Sequence, residues 1–433
     1  MNKKRLMALV MVGLMLMMSC AAFTVQAEEK QKLVISTYLA TDAQVAVREQ
    51  FIDGPLAEAF PDVDIEIKMY NDRQSLMVEV AGGGGPDILD LDGPTDVAEF
   101  AKADRVLPLD AYAEQYGWAD LFYDWAYNSC FYNDTLYSLP TSFEGMMMYY
   151  NNDVFEANGW EIPQTLEELV ALMPVIQEAG IIPISFGNSN YQGAVDWLYS
   201  TFTSCYGGPA NVKAAMEGTA KFTDEPIRAS VQMMVDWWKN GWIGDRNSMS
   251  ITNQDMITFF AEGRAAMMIN GTWAANELLA SYPDCNWISY MMPAGEYGEI
   301  LPFATGGGYA INANSDNADL AAEVMDYLFR SEERHYASIN EAGYQPYPVK
   351  WFDISKLEMD EKLMAQYELL ISAQLNNQIG YCSWTFYPSE MRVYMNENTD
   401  SMFLDMLTVE DYLATSQTYI DAAIEDGTIP VLP

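Results

Sequence analysis

The sequence predicts an α/β protein whose strands and helices alternate around a mostly parallel sheet. Three observations predict it. Val63, Ile65, Ile67 and Met69 alternate with Asp64, Glu66 and Lys68, the two-residue period of a half-exposed strand. Segments with helical spacing lie on either side of that strand. Met146-Met147-Met148-Tyr149-Tyr150 is an unbroken apolar run, as expected of a strand buried on both faces. With 433 residues, 50% of them hydrophobic, the chain can fill a large core and divide into two or three domains.

The elements follow in order. Leu33-Val34-Ile35-Ser36-Thr37-Tyr38 reads as a first strand, and 42–60 as a helix with Val45, Phe51, Leu56 and Phe60 apolar. The alternating strand comes next, then a helix over 75–80 stopped by glycines 82–85, then a strand over 86–91. No Gly-Lys-Ser/Thr follows those glycines, so they read as a helix end and a turn rather than a phosphate cradle. In parallel α/β sheets ligands lie beyond the carboxyl ends of strands, which singles out the loops 39–42 and 90–92. Leu139-Pro140 and the segment to Gly145 lead into the buried strand. Thr165 with Glu168 three residues later opens a helix as a capping box. A strand over 182–186 ends in the polar turn 187–191.

Residues 224–240 form a helix with Pro226 in its first turn and Gly241 at its end; Trp237 and Trp238 read as packing residues on it. The stretch 259–273 reads as a helix end, a glycine stop at Gly263, a short buried strand, a tight Asn270-Gly271 turn and then Trp273. A large flat ring after a turn stands where ligands are usually met. Residues 302–311 read as one glycine-opened strand, and Leu320, Val324, Tyr327 and Leu328 keep a helical period. The last hundred residues read as mainly helical, with Tyr381-Cys382-Ser383-Trp384-Thr385-Phe386 as an aromatic cluster in a loop.

The amino terminus has the form of an export signal. Lys3, Lys4 and Arg5 precede an apolar run over 6–18 that is too short to span a bilayer comfortably. Val25-Gln26-Ala27 offers a cleavage site, giving a signal peptide over 1–27; Cys20 offers the alternative of a lipoprotein signal over 1–19 and a lipid on that cysteine. Either route takes the chain out of the cytoplasm, as a cell-surface lipoprotein or as a periplasmic or secreted protein. The formal charge is −40, from 62 acids against 22 bases, and residues 1–27 carry three of the bases and none of the acids. Such a surface argues against nucleic-acid or anionic-membrane partners, since phosphate binding needs clustered cations.

No metal or cofactor is expected. Asn396-x-Asn398-x-Asp400 lacks the glycine and later glutamate of a calcium loop. Cys130, Cys205, Cys285 and Cys382 are far apart without a Cys-x-x-Cys pair, which leaves disulfides (Cys205 with Cys285 among them) or free buried thiols. His335, among Glu332, Glu333 and Arg334, reads as a surface residue, and neither a Gly-x-Ser-x-Gly elbow nor a Ser-x-x-Lys motif is present.

Four blocks carry a resemblance: Gly84-Gly85-Pro86-Asp87-Ile88; Leu139-Pro140 through Tyr149-Tyr150-Asn151-Asn152-Asp153-Val154-Phe155; Phe259 through Trp273; and Pro302 through Asn312. In this order, over nearly the whole mature chain, the sequence resembles the extracytoplasmic solute-binding proteins of ABC transporters (family 1), in the carbohydrate-binding group that includes maltose-binding protein. The resemblance implies a two-lobed periplasmic-binding-protein-like fold with crossing hinge strands and a ligand cleft between the lobes. It places the crossings near 142–144, 303–306 and 344–348. It gives an N-terminal lobe of 28–142 with 305–345 and a C-terminal lobe of 143–304 with 346–433. Glu144 occupies the place of a hinge carboxylate that meets sugar hydroxyls, and Thr41 and Asp42 that of a ligand-contacting loop. Asn188, Asn190 and Tyr191 stand where polar and aromatic groups of the second lobe meet the ligand, and Trp273 and Trp384 where stacking rings do. Asp92 and Gly307 are further candidates. Where maltose-binding protein has an aromatic ring after the Pro86-Asp87-Ile88 block, this chain has Leu91 between Asp90 and Asp92, so that lobe is expected to bind by hydrogen bonds more than by stacking.

The expected function is capture of a carbohydrate, an oligosaccharide, for delivery to the permease subunits of an ABC importer, by a monomer without enzymatic activity. Sugars present apolar C–H faces and a rim of hydroxyls, which rings and carboxylates match in turn. The alternative is an exported glycoside hydrolase, whose chemistry needs only two carboxylates.

Overall fold

A computed structural model describes residues 30–37, 42–70, 73–189, 194–244 and 248–433. The export signal and Cys20 lie outside these residues. In chain order the strands are β1 (Gln31–Thr37), β2 (Val63–Met69), β3 (Ile88–Leu91), β4 (Phe131–Tyr132), β5 (Thr135–Leu136), β6 (Leu139–Pro140), β7 (Glu144–Asn151), β8 (Ile182–Ser185), β9 (Ala265–Gly271), β10 (Trp287–Tyr290), β11 (Leu301–Ala304), β12 (Gly308–Ile311) and β13 (Ile379–Tyr381). They build two main sheets. One has five strands in the order β2-β1-β3-β12-β6; the other runs β13-β11-β7-β9-β8, with β10 pairing β7. β4 and β5 form a separate hairpin.

The chain passes between the sheets at the two places where a strand of one directly precedes a strand of the other. β6 is followed by β7 across 141–143, and β11 by β12 across 305–307. Near 344–348 a third segment joins them: Phe143 N–H donates to Pro346 O at 2.9 Å and Tyr123 N–H to Pro348 O at 2.9 Å. Rings pack at these passages, with Phe143 5.8 Å from Phe303 and Trp125 4.4 Å from Phe303. The core is therefore continuous from one sheet to the other.

The apolar run at 146–150 is buried along its whole length in β7, as its composition demands, because β7 lies between β11 and β9 with helices on its faces. The Thr165–Glu168 capping box forms at the helix Leu166–Glu178. Trp237 and Trp238 are buried on the helix Glu225–Lys239.

Several expectations need correction. The first sheet is mixed: β1 is parallel to β2 and β3, but β12 is antiparallel to β3 and β6. The sequence cue came from β1 to β3 alone, and the strands that complete the sheet belong to the passages. Residues 302–311 are two strands in different sheets, broken at Gly306-Gly307. Asn270-Gly271 is not the turn. β9 runs through Gly271 because β7 keeps pairing with it to Met146, and the turn falls at 272–273. The 381–386 cluster is the end of β13 and a short helix, Ser383–Phe386.

His335 is buried, not on the surface: its Nε2 accepts the Tyr347 N–H at 2.9 Å and its ring stacks on Tyr347 at 3.8 Å. Burial, then the neighbouring Arg334, holds it well below the usual histidine range, as a neutral acceptor. The four cysteines are free and buried, so Cys205 and Cys285 are not paired. No group of metal-ligating side chains and no helix long and apolar enough to cross a membrane occurs among the described residues.

A cleft lined by indoles and carboxylates

Where the two sheets approach, a cavity of about 270 Å³ is lined by Asp92, Glu144, Trp197, Gly306, Trp273, Trp384 and Arg392. Each lining residue is held by a local device that its sequence explains.

Glu144 opens β7 directly after a passage, and its backbone pairs with Ala304 of β11. Its carboxylate sits against Gly306, where any Cβ would collide with it. The Trp384 indole Nε1–H donates to Glu144 Oε1 at 3.1 Å. Burial first, and then the negative charge of Asp92, push the Glu144 carboxyl up to about 8, while the indole N–H works the other way. A buried acid in that range can donate or accept a hydrogen bond near neutral pH.

Trp384 rides on the short helix Ser383–Phe386. A reciprocal clamp holds the helix to the passage: Thr305 N–H donates to Thr385 Oγ1 at 3.0 Å, and Thr385 Oγ1 donates to Thr305 O at 3.0 Å. Trp273 precedes the helix Ala274–Ser281, half-buried, its ring folded back over Gly271, which has no room for a side chain. Trp197 projects from the fully buried helix Ala194–Gly207. The Trp273 ring centroid lies 6.1 Å from that of Trp384 at 70° and 5.4 Å from that of Trp197 at 59°. Trp273 is thus inclined to both of the other indoles, and the three form an apolar corner.

The opposite wall is charged. Asp92 follows β3 and precedes the helix Gly93–Lys102, which starts at Gly93 with φ of 83°. Glycine is required there, because a Cβ would come within 2.6 Å of the Trp384 carbonyl oxygen. Arg392, on the helix Ser389–Phe403, reaches Asp92 Oδ2 at 2.9 Å, Asp96 Oδ1 at 3.2 Å and Asp196 Oδ2 at 3.0 Å.

Of the candidates read from the sequence, Asp92, Glu144, Trp273 and Trp384 come together in this cavity. Asn188 does not line it; its Nδ2–H donates to Asp400 Oδ2 at 2.9 Å. Gly307 is next to Gly306, the glycine that does line it, and packs against the Thr141 side chain. Thr41, Asn190 and Tyr191 lie outside the described residues; Asp42 begins the helix Asp42–Arg48, with its side chain outside them.

Sequence reasoning missed Trp197, Gly306 and Arg392. Trp197 gives no signal, because every residue of its helix is buried and it reads as core. Arg392 gives one. It lies with Met395, Thr399 and Met402 at helical spacing on a buried face, in a chain that has few bases.

Comparison with known proteins agrees with this architecture. The family model described as bacterial extracellular solute-binding protein matches residues 42–334. Three binding proteins from Brucella abortus and Brucella suis are 24% identical over 274 residues, 63% of this chain, and the match spans 65% of their own length. An arabinooligosaccharide-binding protein of Halalkalibacterium halodurans is 22% identical over 405 residues, 89% of this chain and 86% of that protein. The maltodextrin-binding protein MdxE of Bacillus subtilis is 22% identical over 324 residues, 70% of this chain and 71% of that one. Among solved structures, a chitin oligosaccharide binding protein superposes with a TM-score of 0.78 at 21% identity, covering 92% of this chain and 99% of that one. The GacH receptor of Streptomyces glaucescens superposes with a TM-score of 0.75 at 18% identity over 92% and 100%. The fold is two-lobed, one lobe to each main sheet, and the chain belongs to the bacterial extracellular solute-binding protein family.

Proposed function

We propose that this chain captures a carbohydrate, an oligosaccharide, in the cleft between its lobes and delivers it to the permease subunits of an ABC importer. The observation that carries the reading is the pairing of three inclined indoles with a buried carboxyl hydrogen-bonded to one of them, all in one cavity. Indole faces suit the C–H face of a sugar ring, and Glu144 and Asp92 suit its hydroxyl rim. Relatives named for arabinooligosaccharide and maltodextrin binding, and a structural neighbour named for chitin oligosaccharide binding, support the substrate class. At about 270 Å³ the cavity falls just under the roughly 300–1,000 Å³ usual for drug-sized ligands, which suits one enclosed sugar unit with the rest of the ligand in the mouth of the cleft.

In this reading the lobes are 28–142 with 305–345 and 143–304 with 346–433, and they close about the passages as a hinge. Thr41 and Asp42, with Asn190 and Tyr191, are further ligand contacts in this reading. The protein works outside the cytoplasm as a monomer, either released after Ala27 or tethered by a lipid on Cys20. It hydrolyses nothing. The alternative of a glycoside hydrolase finds no support in the family or its relatives, which are binding proteins.

Calorimetry with product analysis, on mature protein and a panel of maltotriose, arabinotriose, chitotriose and galactotriose, tests the reading. One-to-one binding with the glycan recovered intact is expected. Glycan cleavage that Glu144→Gln abolishes would establish the hydrolase instead.

A further inference from the structure

The charged wall of the cleft draws on both lobes. Asp92 and Asp96 belong to the end of β3 and the helix after it, in the lobe of the five-stranded sheet. Asp196 and Arg392 belong to the helices Ala194–Gly207 and Ser389–Phe403, which pack on each other in the other lobe. Asp96, Asp196 and Arg392 are buried, while Asp92 is half-exposed and lines the cavity. Nearby, Thr95 Oγ1–H donates across the same boundary to Tyr387 O at 3.1 Å.

We infer that Arg392 is a positioning residue that couples ligand capture to lobe closure, by presenting Asp92 to the ligand only while the lobes are together. This rests on the carbohydrate-binding reading above. The guanidinium is a rigid planar fork with five donors, so it can meet three carboxylates at 2.9–3.2 Å only at one separation of the lobes. Asp196 anchors the fork on its own lobe through Nε, leaving Nη1 and Nη2 for Asp96 and Asp92 opposite. When the cleft opens, the fork stays with Asp196 and parts from the other two. When it closes, Arg392 takes Asp92 Oδ2 and fixes the carboxylate, with Oδ1 left to accept a sugar hydroxyl. The Asp96 and Asp196 pairs are buried and the Asp92 pair is partly so, which leaves them less screened than exposed pairs, and they act on the lifetime of the closed state more than on encounter.

The exposed pair across the same boundary serves as a contrast. Lys102 Nζ lies 2.6 Å from Glu390 Oε1, with both side chains about half in solvent. It lies outside the lining of the cleft cavity and is screened by water and salt.

The test uses the full mature chain with Asp96→Asn, Arg392→Lys and Lys102→Gln. Arg392→Ala is avoided because it would leave Asp196 buried beside no cation and would endanger folding. Stopped-flow tryptophan fluorescence with the best-bound glycan of the panel gives association and dissociation rates, and small-angle scattering of unliganded protein gives lobe opening. Asp96→Asn and Arg392→Lys are expected to fold, to dissociate about tenfold faster with association within about twofold of wild type, and to scatter as more open molecules. Lys102→Gln is expected to match wild type in all three. Wild-type rates and scattering in both Asp96→Asn and Arg392→Lys would overturn the inference. If wild-type protein binds no glycan of the panel, the carbohydrate reading fails on its own, and the scattering comparison still decides whether the fork holds the lobes.

Discussion

The lobe of the six-stranded sheet brings rings to the cleft: Trp197, Trp273 and Trp384, with Glu144 at their foot. The lobe of the five-stranded sheet brings Asp92 and the glycine Gly306 to the lining, and no ring of its own. The first set is built on strand ends and helix starts that pack into the core. The second depends on Arg392 reaching over from the other side. The difference separates two roles. The ring side is a preformed surface whose contribution scales with the apolar area it covers. In the closure proposed above, the acid side contributes direction, and does so only while the lobes are together.

That division can be broken at graded points. The largest effect is on the unliganded protein and comes from Glu144. Its carboxyl is held at about 8 against an ordinary 4.5, so the folded state keeps a proton that the unfolded state has lost. Stability is therefore full below about pH 4.5 and falls as pH rises through about 8, on the order of a few kcal/mol over that window. Thermal unfolding from pH 5 to 8 should show this fall in wild type and a flatter profile in Glu144→Gln. Equal slopes would mean the carboxyl is not the group concerned.

Next, Trp384→Ala removes a ring and the donor to Glu144 together. Calorimetry should show a loss of roughly 2–4 kcal/mol in ligand affinity. Trp273→Ala removes a half-buried ring alone, with an expected loss of roughly 1–3 kcal/mol and an unchanged fold by circular dichroism. If it unfolds instead, and the folded fraction binds normally, the ring belongs to the core. Asp92→Asn keeps the shape and removes the charge from the opposite wall. About 1–2 kcal/mol of affinity should go with it, mostly through faster dissociation. Were Asp92→Asn to cost more than Trp384→Ala, the assignment of roles to the two lobes would be reversed.

Much of this arrangement is readable in the sequence, for physical reasons. The 63–69 alternation encodes a half-exposed strand and the 146–150 run a fully buried one, and both became the strands they predicted. The Thr165–Glu168 capping box is a local interaction and formed as a local interaction. Trp273 stands out as a ring after a turn signal and Trp384 as part of an aromatic cluster, at the places that the resemblance gives to stacking rings. What was not readable depends on partners distant in sequence. Asn270-Gly271 has turn chemistry, yet pairing with Met146 and Met147 of β7 keeps it in a strand. Residues 302–311 look continuous, but their two halves pair in different sheets. His335 sits among charges in sequence and against Tyr347 in space. Arg392 joins acids up to 300 residues away, which no local pattern announces.

The most direct measurement of the central claim is a crystal structure of the mature chain with the tightest-binding glycan of the panel. The account predicts one sugar unit in the cavity, its C–H face against Trp273 or Trp384, hydroxyls on Glu144 and Asp92, and Arg392 still joined to Asp92, Asp96 and Asp196. A glycan bound elsewhere on the molecule, with this cavity holding only solvent, would contradict it.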